Sequence, residues 1–182
     1  MKNENDLGLM IVKPPFVENT EAVSRILNFI EDKFSQTFTD KSLQKIFDSF
    51  INDGGILAEK LYVGLQGKWD GLDNMLKYFK DKPMHLFIFY GEKGLAKFLK
   101  NITGATTYET GLSTIRGMMR KKYGIQKLEW LNFIHIPYTY ELKRDLLILK
   151  NLQIIPKGLE EWQQYQTIND KLKTTLKEYD LL

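Results

Sequence analysis

The sequence predicts one α+β domain, a four-stranded antiparallel or mixed sheet with helices packed on it. Three observations predict it. Short apolar runs with strand character alternate along the chain with stretches whose apolar residues recur every three to four positions. Most connections between them are too long for hairpins. The length, 182 residues, suits a single core with a small appendage.

Leu7–Lys13 reads as a buried strand stopped by Pro14-Pro15, with Lys13 at its end. Asn19 or Thr20 caps a helix whose Val23, Ile26, Leu27, Ile30 and Phe34 share one face. Asp40 opens a second helix, with Leu43, Ile46, Phe47 and Phe50 at helical spacing, ended by Asn52-Asp53-Gly54-Gly55. Ile56–Leu65 reads as a strand between glycines. Asp70 caps a helix carrying Leu72, Met75, Leu76 and Phe79, which Pro83 stops. Met84–Tyr90 is apolar on both faces apart from His85, so it belongs at the centre of the sheet. Gly91 marks a turn. Leu95, Phe98, Leu99 and Ile102 form the next helical stripe, ended by Gly104.

A long polar connection follows, with Thr106, Thr114 and Arg116 on it. Connections of this length in compact domains often carry function. Its second half is a candidate helix with Ile115 and Met119 inward and Lys121-Lys122 outward. Trp130–Pro137 reads as the last central strand, leading into a helix from Thr139. Gln153–Pro156 is a candidate edge strand, and Leu159–Leu182 a C-terminal helix with Trp162, Leu172, Leu176 and Tyr179 on its apolar side. This order describes a ferredoxin-like domain spanning 1–182, with a core over 7–150, an inserted helix in 36–53 and a helical extension over 151–182.

Composition narrows the function. The net charge of +3 and the scattered lysines argue against a DNA or RNA partner. The absence of cysteine excludes disulfides, thiolate catalysis and cysteine-based metal sites. The polar, acidic N-terminus carries no signal peptide, and no apolar run is long enough to span a bilayer, so the expected location is cytoplasmic, away from membranes.

The chain has two histidines. His85, inside an apolar strand, reads as structural. His135 closes Asn132-Phe133-Ile134-His135 where a strand gives way to a helix, and the N–H groups at a helix start suit a phosphate.

Five segments carry a family resemblance. Leu9–Pro14 resembles the opening strand and Lys-Pro of nucleoside diphosphate kinases. Leu76–Phe79 with Pro83 looks like the approach to that family's central strand. Gly91–Thr106 is similar to its helix ending in Gly-x-Thr. Ser113-Thr114-Ile115-Arg116-Gly117 resembles its Gly-Thr-Ile-Arg-Gly, and Asn132-Phe133-Ile134-His135 its Asn-x-x-His. The match covers about Leu7 to Leu149.

The resemblance implies a ping-pong phosphotransferase. ATP would phosphorylate His135, and a nucleoside diphosphate would remove the group. Lys13, Lys100, Thr106, Arg116 and Asn132 would bind phosphates and sugar. Lys100 stands where the family has an arginine. Mg2+ would arrive with ATP, bridging its phosphates, with no protein residue assigned as a metal ligand. The implied partners are nucleoside di- and triphosphates and further copies of the chain in a homo-oligomer. An imidazole nitrogen is a competent nucleophile near neutral pH, and fixed cations stabilise the phosphoryl oxygens.

Departures from the pattern follow His135. Pro137 replaces a serine that helps orient the histidine, and Tyr138 replaces the acidic residue beside it. The family's supporting glutamate aligns with Leu146, so Asp145 or Glu141 serves only if the helix is shifted. The base-stacking hairpin is either truncated, with Ile56–Leu65 as the second strand, or present, with Tyr62-Val63-Gly64-Leu65 in it and Trp69 near the base. The first alignment is preferred. These departures define the alternative, a catalytically weak or inactive nucleotide-binding regulator on the same fold. A third reading is a phosphotransferase with a different small acceptor.

Overall fold

The computed structural model describes residues 5–39, 42–68, 70–104, 111–124 and 133–182. Among them, four strands form one antiparallel sheet in the order β2-β3-β1-β4. These strands are β1 (Asn5–Val12), β2 (Gln44–Ile51), β3 (Met84–Glu92) and β4 (Ile134–His135). Helix α1 (Thr20–Thr37) joins β1 to β2. Helices α2 (Gly54–Leu61) and α3 (Leu72–Phe79) lie between β2 and β3, with a short 3-10 turn, Val63–Leu65, between them. Helices α4 (Leu95–Thr103) and α5 (Ile115–Tyr123) precede β4. Then come α6 (Thr139–Asn151), α7 (Leu159–Gln163) and α8 (Asp170–Glu178). The expected α+β class and four-stranded antiparallel sheet are present.

Strand alternation divides the core in two. Leu7, Leu9 and Ile11 of β1 and Leu86 and Ile88 of β3 face one side, under α2, α3, α6 and the C-terminal helices. Met10 and Val12, with Phe87 and Phe89, face the other, under α1, α4 and α5. Strand β3 is central, as its two-faced apolar pattern predicts. Gly8 of β1 lets α4 approach closely: a Cβ there would lie 2.3 Å from a methyl of Leu99.

Several expectations are corrected. The segment 36–53 holds no inserted helix: α1 runs on to Thr37, and β2 is a strand. A bulge between Lys45 and Phe47 explains the misleading pattern. It turns both Ile46 and Phe47 inward, so the apolar spacing mimics a helix. Ile56–Leu65 is helical rather than a strand. Asp53, read as part of a stop, accepts a hydrogen bond from Gly55 N (2.9 Å) and caps α2. The preferred alignment therefore fails, and the α2–α3 hairpin is present between β2 and β3. Helix α3 starts from Gly71, with no side-chain cap from Asp70. Gly91 lies inside β3, which runs to Glu92.

Gln153–Pro156 forms no strand. Gln153 has φ +61°, and Ile154 N–H reaches back to Leu149 O (3.0 Å), so this segment terminates α6 in a Schellman-type turn. The C-terminal helix is two helices, broken at Gln164–Asn169. Both pack on this domain. Trp162, Leu172 and Leu176 join the core beside Phe47, whose ring lies 5.8 Å from that of Trp162.

Trp162 is fully buried against the face of the sheet. Trp162→Ala is expected to lower stability by about 3–5 kcal/mol through the cavity it leaves. Urea denaturation measures this.

Candidate functional site

Antiparallel pairing of β1 with β4 builds the site. Ile11 pairs with His135, and Lys13 N–H donates to Phe133 O (2.8 Å). Positions 11 and 13 share a face, so the Lys13 and His135 side chains project together toward α2 and α6. At that end of the sheet a cavity of about 360 Å³ opens. It is lined by Tyr62, Leu65, Lys100, Arg116, His135 and Tyr138, with Glu141 and Arg144 on the α6 side. The size falls in the range of ligand pockets.

A directed chain of hydrogen bonds runs through His135. Its Nε2 lies 2.9 Å from Asp145 Oδ2. Asp145 is fully buried, on the inner face of α6. An ionised carboxylate only accepts, so Nε2 carries the proton and Nδ1 has its lone pair free of hydrogen. The Tyr62 hydroxyl donates to Nδ1 (3.2 Å) and accepts from Lys13 Nζ (3.2 Å). At the far end, Arg144 Nε and Nη2 donate to Asp145 Oδ1 (2.9 and 2.7 Å). Every member of the chain Lys13–Tyr62–His135–Asp145–Arg144 has a consistent role.

Burial governs the electrostatics. It holds His135 below the usual imidazole range, while the Asp145 bond acts in the opposite sense. The imidazole is therefore neutral near pH 7. Lys13 is 1% exposed. Burial, helped by the Arg116 charge, brings its pKa down to about 7. Its Nζ lies 5.0 Å from the Phe79 ring centroid and 5.5 Å from that of Tyr62. Burial also raises the Tyr62 pKa, so its hydroxyl keeps its proton.

Lys100, in the last turn of α4, donates to Ile136 O (2.9 Å), and its ammonium lies 3.9 Å from the Tyr138 ring centroid. Burial, then the Arg116 charge, lowers its pKa. Arg116 enters from the first turn of α5, which Thr114 caps. Its guanidinium donates to Ile134 O (3.0 Å) and to Gly104 O, tying α4, α5 and β4 together. Burial, then Arg120, lowers its pKa to about 10, so it stays cationic at neutral pH.

Of the six residues expected in the site, Lys13, Lys100, Arg116 and His135 are brought to one place. Thr106 and Asn132 lie outside the described residues, as does Trp69. His85 lies apart, between Phe50 and Phe87 and 3.7 Å from Asp48, in a structural setting. Sequence reading missed Tyr62 and Arg144, and named Tyr138 as the residue that stands in place of the family's acid. Tyr62 had one available signal, the alignment that keeps Tyr62–Leu65 in a helical hairpin. Of the two candidate acids, Asp145 holds the histidine. Glu141 instead accepts from Tyr138 N (3.1 Å) and caps α6.

No family model matches the sequence, and no curated protein does. Solved structures do. A nucleoside diphosphate kinase from Aquifex aeolicus superposes with a TM-score of 0.59 at 17% identity, over 80% of this chain and 94% of that one. One from Halobacterium salinarum, in complex with CDP, gives 0.62 at 19% identity, over 79% and 86%. One from Encephalitozoon cuniculi gives 0.63 at 17% identity, over 93% and 99%. The chain has the nucleoside diphosphate kinase fold. Among its described residues, no helix is long and apolar enough to cross a membrane.

Two outcomes follow from the buried lysine. Lys13→Met removes an ammonium from an apolar site. It is expected to raise thermal stability by about 1 kcal/mol or more, read by thermal denaturation. At pH 8 the free protein holds Lys13 largely neutral, and a bound phosphate restores its charge. An anion placed against Lys13 at that pH should therefore be accompanied by uptake of close to one proton, read by calorimetry with inorganic phosphate or pyrophosphate in buffers of different ionisation enthalpy.

Proposed function

We propose that this protein is a phosphotransferase of the nucleoside diphosphate kinase type. It moves the γ-phosphoryl group of ATP to a nucleoside diphosphate through phospho-His135. The observation that carries this reading is the Asp145–His135 bond. It fixes the Nε2–H tautomer and leaves Nδ1 as a neutral nucleophile at the pocket.

The steps follow from the residues present. Nδ1 attacks the γ-phosphorus, and the diphosphate leaves. The Tyr62 hydroxyl, which occupies the line of approach, gives up Nδ1 and donates to a phosphoryl oxygen. Lys13 gains a proton as the anion arrives and stabilises the charge from beneath. Arg116 and Lys100 face the remaining phosphate oxygens from α5 and α4. Asp145 stabilises the positive charge that develops on the ring as the nitrogen–phosphorus bond forms. The acceptor diphosphate then takes the group by the reverse path.

Among the described residues lining the pocket, Glu141 is the acidic one, and Asp145 behind it is engaged on both oxygens. That donor set suits a Mg2+ ion carried mainly by phosphates and water, with nucleotide oxygens as its principal ligands. Bound there, the ion would neutralise charge on the polyphosphate.

The missing glutamate favoured an inactive nucleotide-binding protein. Asp145 supports the active reading instead, because a shorter acid one position earlier on α6 reaches the same ring. Pro137 supplies no side-chain donor to the histidine, and Asp145 holds Nε2 in its place. As the family resemblance implies, the active form is proposed to be a homo-oligomer, which light scattering would report.

Incubation with labelled ATP and Mg2+ is expected to give acid-labile phosphate on the protein, absent in His135→Ala. Nucleotide binding without label would contradict kinase activity. Asp145→Asn should retain nucleotide affinity and lose phosphorylation rate by roughly 10³-fold, through the wrong tautomer.

A further inference from the structure

Asp145 is held on both oxygens. Oδ2 faces His135, and Oδ1 takes two hydrogen bonds from Arg144, the residue immediately before it. The Arg144 side chain is 48% exposed and reaches in from the pocket rim. Adjacent positions on a helix point about 100° apart. An arginine long enough to fold back onto its neighbour is therefore a specific arrangement, and its fork suits a carboxylate.

We propose that Arg144 is a positioning residue for His135. It clasps Oδ1 of Asp145, so that the carboxylate is locked with Oδ2 presented to Nε2. The proposal builds on the phosphotransfer reading, in that the nitrogen it exposes is the proposed nucleophile.

A one-residue displacement explains why the clasp is needed. An aspartate is shorter than a glutamate and makes a single bond to the ring. Pro137 has no N–H and no polar side chain to offer the ring. Without a second tether, rotation of the Asp145 carboxylate would leave the ring free to exchange tautomers. The groups facing this pair from neighbouring elements are Lys13 of the β1 end, Tyr62 after α2, Lys100 of α4 and Arg116 of α5. Glu141 lies on the same helix, 3.8 Å from Arg144. None of these touches Oδ1 in the described contacts.

The test is nitrogen NMR of the two imidazoles in full-length wild type and Arg144→Gln. It needs no nucleotide, so it stands apart from the labelling experiment. His85, far from α6, is the internal control for an intact fold. In wild type, His135 should show a protonated Nε2 and an unprotonated Nδ1. In Arg144→Gln the two nitrogen shifts should converge as the tautomers mix, with His85 unmoved. Phosphorylation of His135, where measured, should slow on the order of tenfold. His135 shifts identical to wild type would overturn the proposal. If Arg144→Gln fails to fold, Arg144→Lys carries the same test. It keeps the charge and loses the fork, so a smaller convergence is expected, and unchanged shifts are again contradictory.

Discussion

A buried carboxylate against a buried imidazole is the constraint on which the rest of the site depends. Asp145 is wholly removed from water, and His135 keeps only 12% of its side chain exposed. An ionised acid in that position is tolerated only when its oxygens are bonded. Oδ2 finds Nε2–H, and Oδ1 finds the Arg144 fork. The same requirement determines which ring nitrogen faces the pocket. Geometry that satisfies a buried charge thus also leaves one ring nitrogen, Nδ1, without hydrogen at the pocket. The continuation through Tyr62 to Lys13 extends the demand: a neutral ring, a protonated phenol and a lysine near its titration point share one dry space. An anionic phosphoryl group is the kind of ligand that relieves it.

The fold holds these parts from independent directions. Pairing of β1 with β4 sets Lys13 beside His135, and the start of α6 brings Asp145 back over the ring. The α2–α3 hairpin supplies Tyr62, closing the chain from the opposite side. Arg116 binds two backbone carbonyls, so it fixes the junction of α4, α5 and β4 as well as facing the pocket. The C-terminal helices stay clear of the site and bury Trp162 over β2 and β3. They complete the core without contributing to the chemistry.

Much of this was legible in the sequence. The two-faced apolar strand β3 and the stripes of α1 and α4 pointed to the sheet, and the motifs pointed to four residues, Lys13, Lys100, Arg116 and His135, that the structure brings to one place. The misreadings have local physical causes. The bulge in β2 turns the adjacent Ile46 and Phe47 to one face and breaks the strand alternation, so a strand looked like a helix. Asp53-Gly54-Gly55 serves as a helix start as readily as a stop, and reading it as a stop hid the hairpin and Tyr62. Gln153 adopts a left-handed conformation usually left to glycine, so the end of α6 resembled a strand. The Asp145–Arg144 clasp depends on the rotation of α6 relative to β4, a tertiary quantity that spacing along the chain does not encode.

The most direct measurement of the central claim is the position of the phosphate on the ring. After brief reaction with ATP, nitrogen–phosphorus NMR of the ¹⁵N-labelled protein distinguishes the two phosphohistidine isomers. Phosphate on Nδ1 of His135, with Nε2 still protonated and bonded, is the predicted result. Phosphate on Nε2 would mean that the Asp145 bond does not direct the chemistry and would contradict the account.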